Sequence, residues 1–209
     1  MSHFCVYVFH NENTTIDELL APYDENMEVS PYVLYTKEQA IAKVHSDIEE
    51  YKNLIYKEYL KDPIKYKGSH NERHVEYIEN EFPKKLNWTD EECYADIFKR
   101  YRENGMVTEN GCLLSKYNQK AKWDWYQIGG RWRNTIPGDE AKMSDIPIEK
   151  IDTPYAFVTT DGEWVERGKM GWFGISSNEM NEDEWDAKFK EYLKTLDKDI
   201  ILTQVDCHI

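Results

Sequence analysis

The chain has 209 residues, with 26 Lys plus Arg against 40 Asp plus Glu and a formal net charge of −14. That describes a single α+β-sized domain over 1–209, or a domain with a large insertion, and excludes a multi-domain machine. A chain this acidic has no general attraction for nucleic acid or an anionic bilayer unless its basic groups gather on one patch, so direct nucleic-acid binding is not expected. Mean hydropathy is −0.80 and apolar runs are short, far from the roughly 20 residues a membrane span needs.

Hydrophobic residues make up 40% of the chain, with 15 Tyr, 7 Trp and 7 Phe, enough for a packed core. Cys5, Cys93, Cys112 and Cys207 form no CxxC pair. With no charged-then-apolar leader in MSHFCVYVFH, a reducing, cytoplasmic setting is the plainer expectation.

In chain order, residues 1–10 alternate as a covered strand, with Phe4, Val6 and Val8 on one side and His3, Cys5, Tyr7 and Phe9 on the other. Thr15 and Glu18 form a capping box for a short helical turn ending near Pro22. Residues 21–35 read as a loop ending in an extended piece. A long helix is predicted from Thr36 to about Leu60, with Ile41, Val44, Ile48, Tyr51, Ile55 and Tyr59 as its buried stripe. Residues 61–74 read as a polar separator, 75–82 as a weaker helix, and Thr89 with Glu92 opens another helix that Gly105 stops. The predominantly helical segment thus covers about 36–103.

After Gly105 the pattern turns to short strands. Asn110-Gly111 and Asp161-Gly162 each suit a tight hairpin turn. The proline-punctuated stretch 135–154 reads as a surface loop. Asn181 and Glu184 begin a last helix with Trp185, Phe189, Tyr192, Leu193 and Leu196 inward, and 199–209 forms a final strand. On that strand Ile201, Thr203, Val205 and Cys207 oppose Ile200, Leu202, Gln204, Asp206 and His208. The expected fold is α+β: an antiparallel or mixed sheet with helices packed on one side, a ferredoxin-like plan with insertions being one version.

The densest signal is KYNQKAKWDWYQIGGRWR, residues 116–133, where five basic residues stand against Asp124 alone, a local charge of +4. An extended 122–127 places Trp123 and Trp125 on one face and Lys122, Asp124 and Tyr126 on the other. Gly129 and Gly130 permit close backbone approach or an anion-binding nest. Arg131 and Arg133 share a side if the strand resumes, and their planar forks suit phosphate or carboxylate. Glu163 and Glu166 in the second hairpin can orient the arginines or act as acids. These nine residues are the candidate ligand site. The structural alternative has the tryptophans and Ile128 supplying core while Asp124 pairs with Arg131.

AKWDWYQIGGRW at 121–132 and FVTTDGEWVERGKMGWFG at 157–174 resemble an uncharacterised group of hypothetical proteins from bacteria and their phages. The resemblance covers about 30 residues; it implies that the two stretches share a surface and places a phage-encoded inhibitor or accessory factor among the expected classes. Gly171 and Gly174 around Trp172-Phe173 suit either a lid or an ordinary loop anchored by two aromatics.

No enzyme motif is complete. His70-Asn71-Glu72-Arg73-His74 lacks the first glutamate of HExxH, no GxSxG occurs, and neither glycine phosphate motif matches. His3 and Cys5 share a face and could meet Cys207 or His208 around a metal or thiol site if the terminal strands pair, although simple burial is the plainer explanation. No metal or cofactor follows. Two functions remain: a binding protein acting through protein interaction, its acidic surface engaging a basic partner, or a binder of nucleotides or phosphorylated metabolites, including a phosphoester hydrolase, using 116–133.

Overall fold

The computed structural model describes residues 2–170 and 175–209; the Gly171–Gly174 expectation lies outside them. The elements in chain order are β1 (His3–His10), α1 (Ile16–Leu20), β2 (Tyr32–Tyr35), α2 (Lys37–Tyr51), α3 (Lys57–Lys61), α4 (Pro63–Ser69), α5 (Glu72–Glu76), α6 (Phe82–Lys85), α7 (Asp90–Glu103), β3 (Leu113–Ser115) and β4 (Trp125–Ile128). They continue with β5 (Glu140–Lys142), β6 (Ala156–Val158), β7 (Trp164–Glu166), β8 (Lys169–Met170), β9 (Ser176–Ser177), α8 (Glu182–Leu193) and β10 (Ile201–His208). The fold is α+β. Contacts divide the chain into two compact units, one of residues 1–29 with 117–209, the other of residues 30–116.

In the first unit the strand order is β4-β10-β1-β6-β7, with β5 also on β10. β1 is antiparallel to β10 and parallel to β6, making the sheet mixed. β1 and β6 are direct neighbours, so no strand splits the parallel pair as a ferredoxin-like plan requires. The hairpin β6–β7 turns at Asp161-Gly162, where Gly162 has φ +84°.

Alternation decides which side chains face which layer. Tyr7, Phe9, Phe157 and Leu202 pack on Trp185, Phe189 and Leu193 of α8. Phe4, Val6, Val8, Val158, Val205 and Cys207 pack on the opposite side with Leu19, Leu20 and Trp123. Because both faces are covered, β1 reads as a nearly continuous apolar run.

The predicted surface loop at 135–154 is instead part of this core. It contributes β5 to the sheet and buries Ile136, Met143, Ile146 and Ile151. Its apolar residues are spaced irregularly between prolines, so no period of two or 3.6 reveals them.

The second unit is built around α2 and α7, which bury Ala40, Val44, Ile48, Cys93 and Ile97 with Phe82 and Leu113. Both helices begin with the expected capping boxes, Thr36 with Gln39 and Thr89 with Glu92. The helix expected from Thr36 to about Leu60 is present without a gap from Lys37 to Lys61, with a π turn at Lys52–Tyr56 joining α2 to α3. Residues 61–74 are helical rather than a separator. Asp62 caps α4 ahead of Pro63, and Asn71 caps α5, so the polar and breaking residues start new helices.

Candidate functional site

The site starts from the pairing of the two ends of the chain. Antiparallel register sets His3 opposite His208 and Cys5 opposite Asp206. In a strand, even-numbered positions of β10 then share a face with odd-numbered positions of β1. That face of β10 carries Gln204, Asp206 and His208, all buried polar residues on a strand interior to the sheet.

Burying such groups is costly unless each finds a partner. Asp206 finds two: His3 Nδ1 donates to its Oδ1 at 2.9 Å, and the Arg131 backbone N–H donates to its Oδ2 at 3.0 Å. Its carboxylate is 3% exposed. Gln204 accepts from Thr135 Oγ1 and donates to the Trp132 carbonyl. Asp206 and Gln204 thereby clamp the 129–135 turn against the sheet. Gly129 and Gly130 have φ of +71° and +53°, and a Cβ on Gly130 would overlap the Asp206 side chain. The two glycines are required by this turn.

His208 Nδ1 donates to Asp124 Oδ1 at 2.6 Å. Trp125 stacks on His208 with ring centroids 5.2 Å apart, and the His3 ring meets His208 edge-on at 5.1 Å. Two carboxylate–histidine pairs therefore sit side by side at the end of the sheet. His208 Nε2 is buried and has no hydrogen-bond partner among the described residues.

A cavity of about 530 Å³ adjoins this network. His3, Cys5 and Tyr7 of β1 line it together with Trp132, Asp152 and Glu179. Burial, followed by the charges of Asp206 and Asp152, pushes the Cys5 thiol up to about 12. Burial raises the Tyr7 hydroxyl as well. Both groups are neutral near pH 7, so Cys5 supplies no thiolate nucleophile there. The histidines and carboxylates present no described cluster of three or more that could hold a metal ion.

The nine residues proposed from sequence separate onto different partners. Asp124, Gly129, Gly130 and Arg131 do join the site, Arg131 through its backbone while its side chain is exposed. Lys122 instead pairs with Glu166 at 2.5 Å, and Glu166 also accepts from Trp164 Nε1. Tyr126 donates to Asp17 and packs against Trp123 in the other layer. Arg133 lies 3.9 Å from Asp139, and Glu163 is an exposed residue flanking a different cavity.

Two local expectations fail for one reason, that the extended strand begins at Trp125 and ends at Ile128, and the pairing of the structural alternative fails separately. Trp123 and Trp125 therefore do not share surroundings, since Trp123 is buried and Trp125 is exposed on His208. Gly130–Trp132 is a 3₁₀ turn, so Arg131 and Arg133 are not alternate residues of one strand. Asp124 pairs with His208, not with Arg131.

The terminal strands do pair, and of the two residues named for that case it is His208, not Cys207, that lies on the His3 and Cys5 face; Gln204 and Asp206 were not singled out, although polar residues on an otherwise apolar strand were their signal. His70, which is exposed, and His74 of the second unit stack with Tyr66, and Tyr66 Oη bonds His74 Nε2 at 2.9 Å. No family model matches the chain, and no curated protein or solved structure matches it.

Proposed function

We propose that this protein is a binding protein acting through protein interaction, and that it takes a cationic side chain of a basic partner into the cavity over His3, Cys5 and Tyr7. The observation that carries this reading is the sign of the charge there. Asp152 and Glu179 line the cavity, Asp206 lies against His3, and no Lys or Arg is among the described lining residues. The Cys5 thiol, raised first by burial, is raised further by Asp206 and Asp152.

A phosphate placed there would meet the Asp152 and Glu179 carboxylates, of which Glu179 alone has a guanidinium near it, Arg167 at 3.8 Å, whereas a guanidinium or ammonium would meet acceptors and the Trp132 ring. A neighbouring cavity of about 470 Å³ shares Thr153, Pro154 and Tyr155 and is lined by Glu182, Asp183 and Asp186 against Arg167. The acidic lining therefore extends past a single side chain, which suits a basic segment of a protein. The phosphorylated-ligand alternative has less to rest on, because Tyr126, Arg131 and Arg133 have separate partners or surroundings. An inhibitor or accessory role of the kind implied by the bacterial and phage resemblance fits this mode of binding.

Calorimetric titration with an oligoarginine peptide and with inorganic phosphate tests the reading. Wild type should bind the peptide and not phosphate, and joint Asp152→Asn and Glu179→Gln should weaken peptide binding about tenfold or more. Glu91→Gln with Glu103→Gln on α7 removes the same charge elsewhere and should change little. Equal losses in both variants, or phosphate binding that the cavity variant alters, would overturn the proposal.

A further inference from the structure

The two carboxylate–histidine pairs at the end of the sheet differ in what becomes of the second imidazole nitrogen. A carboxylate only accepts hydrogen bonds, so Asp206 holds the hydrogen of His3 on Nδ1, and Asp124 does the same for His208. Each neutral ring then keeps Nε2 as an acceptor. His208 Nε2 is sealed from solvent without a partner. His3 Nε2 also lacks a hydrogen-bond partner among the described residues, yet it is not one of the sealed atoms. The His3 side chain is 11% exposed and lines the cavity of about 530 Å³, with β10 holding its Nδ1 side. Trp125 and His208 meet the ring edge-on at 5.4 and 5.1 Å and fix its plane.

The hydroxyls around the cavity have already spent their hydrogens. Tyr155 Oη donates to the Gly168 carbonyl at 2.6 Å, Thr153 to Asp186, Ser176 to Glu179 and Thr135 to Gln204. What these groups offer a guest is lone pairs, and Asp152 adds an exposed carboxylate. A donor-rich guest is the chemical complement.

We infer that His3 Nε2 is the positioned acceptor of this cavity and that it selects an arginine side chain over a lysine, an inference that rests on the cationic-guest reading above. A lysine ammonium carries its three donors on one strongly hydrated atom, which the exposed Asp152 satisfies at the rim without entry. A guanidinium spreads five N–H donors around a plane. One edge can bond His3 Nε2 while another meets Asp152 or Glu179 and the flat face lies on Trp132. Asp206 is a positioning residue: it acts on the guest through the tautomer of His3.

Asp206→Asn tests this, because an amide cannot accept from both present donors with its two polar atoms. The Arg131 N–H can only donate, so the amide oxygen turns to it and the NH₂ group turns to His3 Nδ1. The imidazole hydrogen then moves to Nε2, and the acceptor in the cavity becomes a donor. Calorimetric titration with oligoarginine and oligolysine of equal length, at pH 8, reads the outcome, with circular dichroism confirming the fold of each variant. Wild type should prefer oligoarginine about tenfold, and Asp206→Asn should bring the ratio of affinities to about one. His3→Phe, which keeps a ring but no nitrogen, should do the same. Imidazole nitrogen chemical shifts should place the His3 hydrogen on Nδ1 in wild type and on Nε2 in Asp206→Asn. Equal wild-type affinity for the two peptides, a wild-type hydrogen on Nε2, or an arginine preference that survives either variant overturns this inference alone. Binding of neither peptide overturns it together with the reading on which it rests.

Discussion

The two sides of β10 are equally sealed from water but differently furnished. Val205 and Cys207 enter an apolar layer with Phe4, Val6 and Val8, where burial itself is the stabilising term. Gln204, Asp206 and His208 enter the opposite layer and need hydrogen bonds to offset their lost hydration. They obtain them from His3, from the 129–135 turn and from Asp124. One side needs only shape and volume, whereas the other needs particular partners, and its cost to the fold is what makes it the better candidate for function.

The strongest way to break this contrast is Asp206→Ala, which strands the Arg131 amide and the His3 ring. It should cost about 3 kcal/mol in urea unfolding; a loss below 1 kcal/mol would mean that the clamp contributes little. Next is Gly130→Ala, where a left-handed φ and overlap with Asp206 act together, with an expected cost of about 2 kcal/mol. Gly105→Ala has φ +67° but open space around it, so it isolates the backbone share, about 1 kcal/mol. Equal losses at the two glycines would remove the argument for close approach to Asp206.

The smallest expected change is at His208. Its orphaned Nε2 already costs the fold, so His208→Phe should leave stability within about 1 kcal/mol of wild type by thermal unfolding, despite removing the Asp124 hydrogen bond. A much larger loss would show that the histidine pair is structural.

The layers also respond to pH through their thiols. Cys5 is raised to about 12 and Cys207 lies well above its ordinary value, each first by burial. In the unfolded chain these thiols ionise near 9, so their contribution to stability is complete below that pH and is lost as pH rises toward the folded values. Urea unfolding at pH 8 and pH 10.5 should show that decline. Asp152→Asn should bring Cys5 alkylation to a lower pH while leaving Cys207 unreactive.

Much of the scaffold was legible because it rests on local periodicity. The faces of β1 and β10 follow from alternation, α7 and α8 from their apolar stripes, and the three boxes at Thr15, Thr36 and Thr89 from residues three apart. Legibility failed where the apolar spacing was irregular, as at Ile136, Met143 and Ile146, or where polar residues began helices, as at Asp62 and Asn71. At the candidate site the glycines, Asp124 and Arg131 stood out, but Lys122 and Tyr126 found partners in Glu166 and Asp17 that no spacing indicates.

By itself, the sequence determined which residues can lie on one face of a strand or helix, because side-chain direction repeats along the backbone. Tertiary structure alone decided that His3 meets Asp206 and His208 meets Asp124, since those choices depend on which strands pair and in what register. Local propensity acts over a few residues, whereas these contacts join residues 203 and 84 positions apart in the chain.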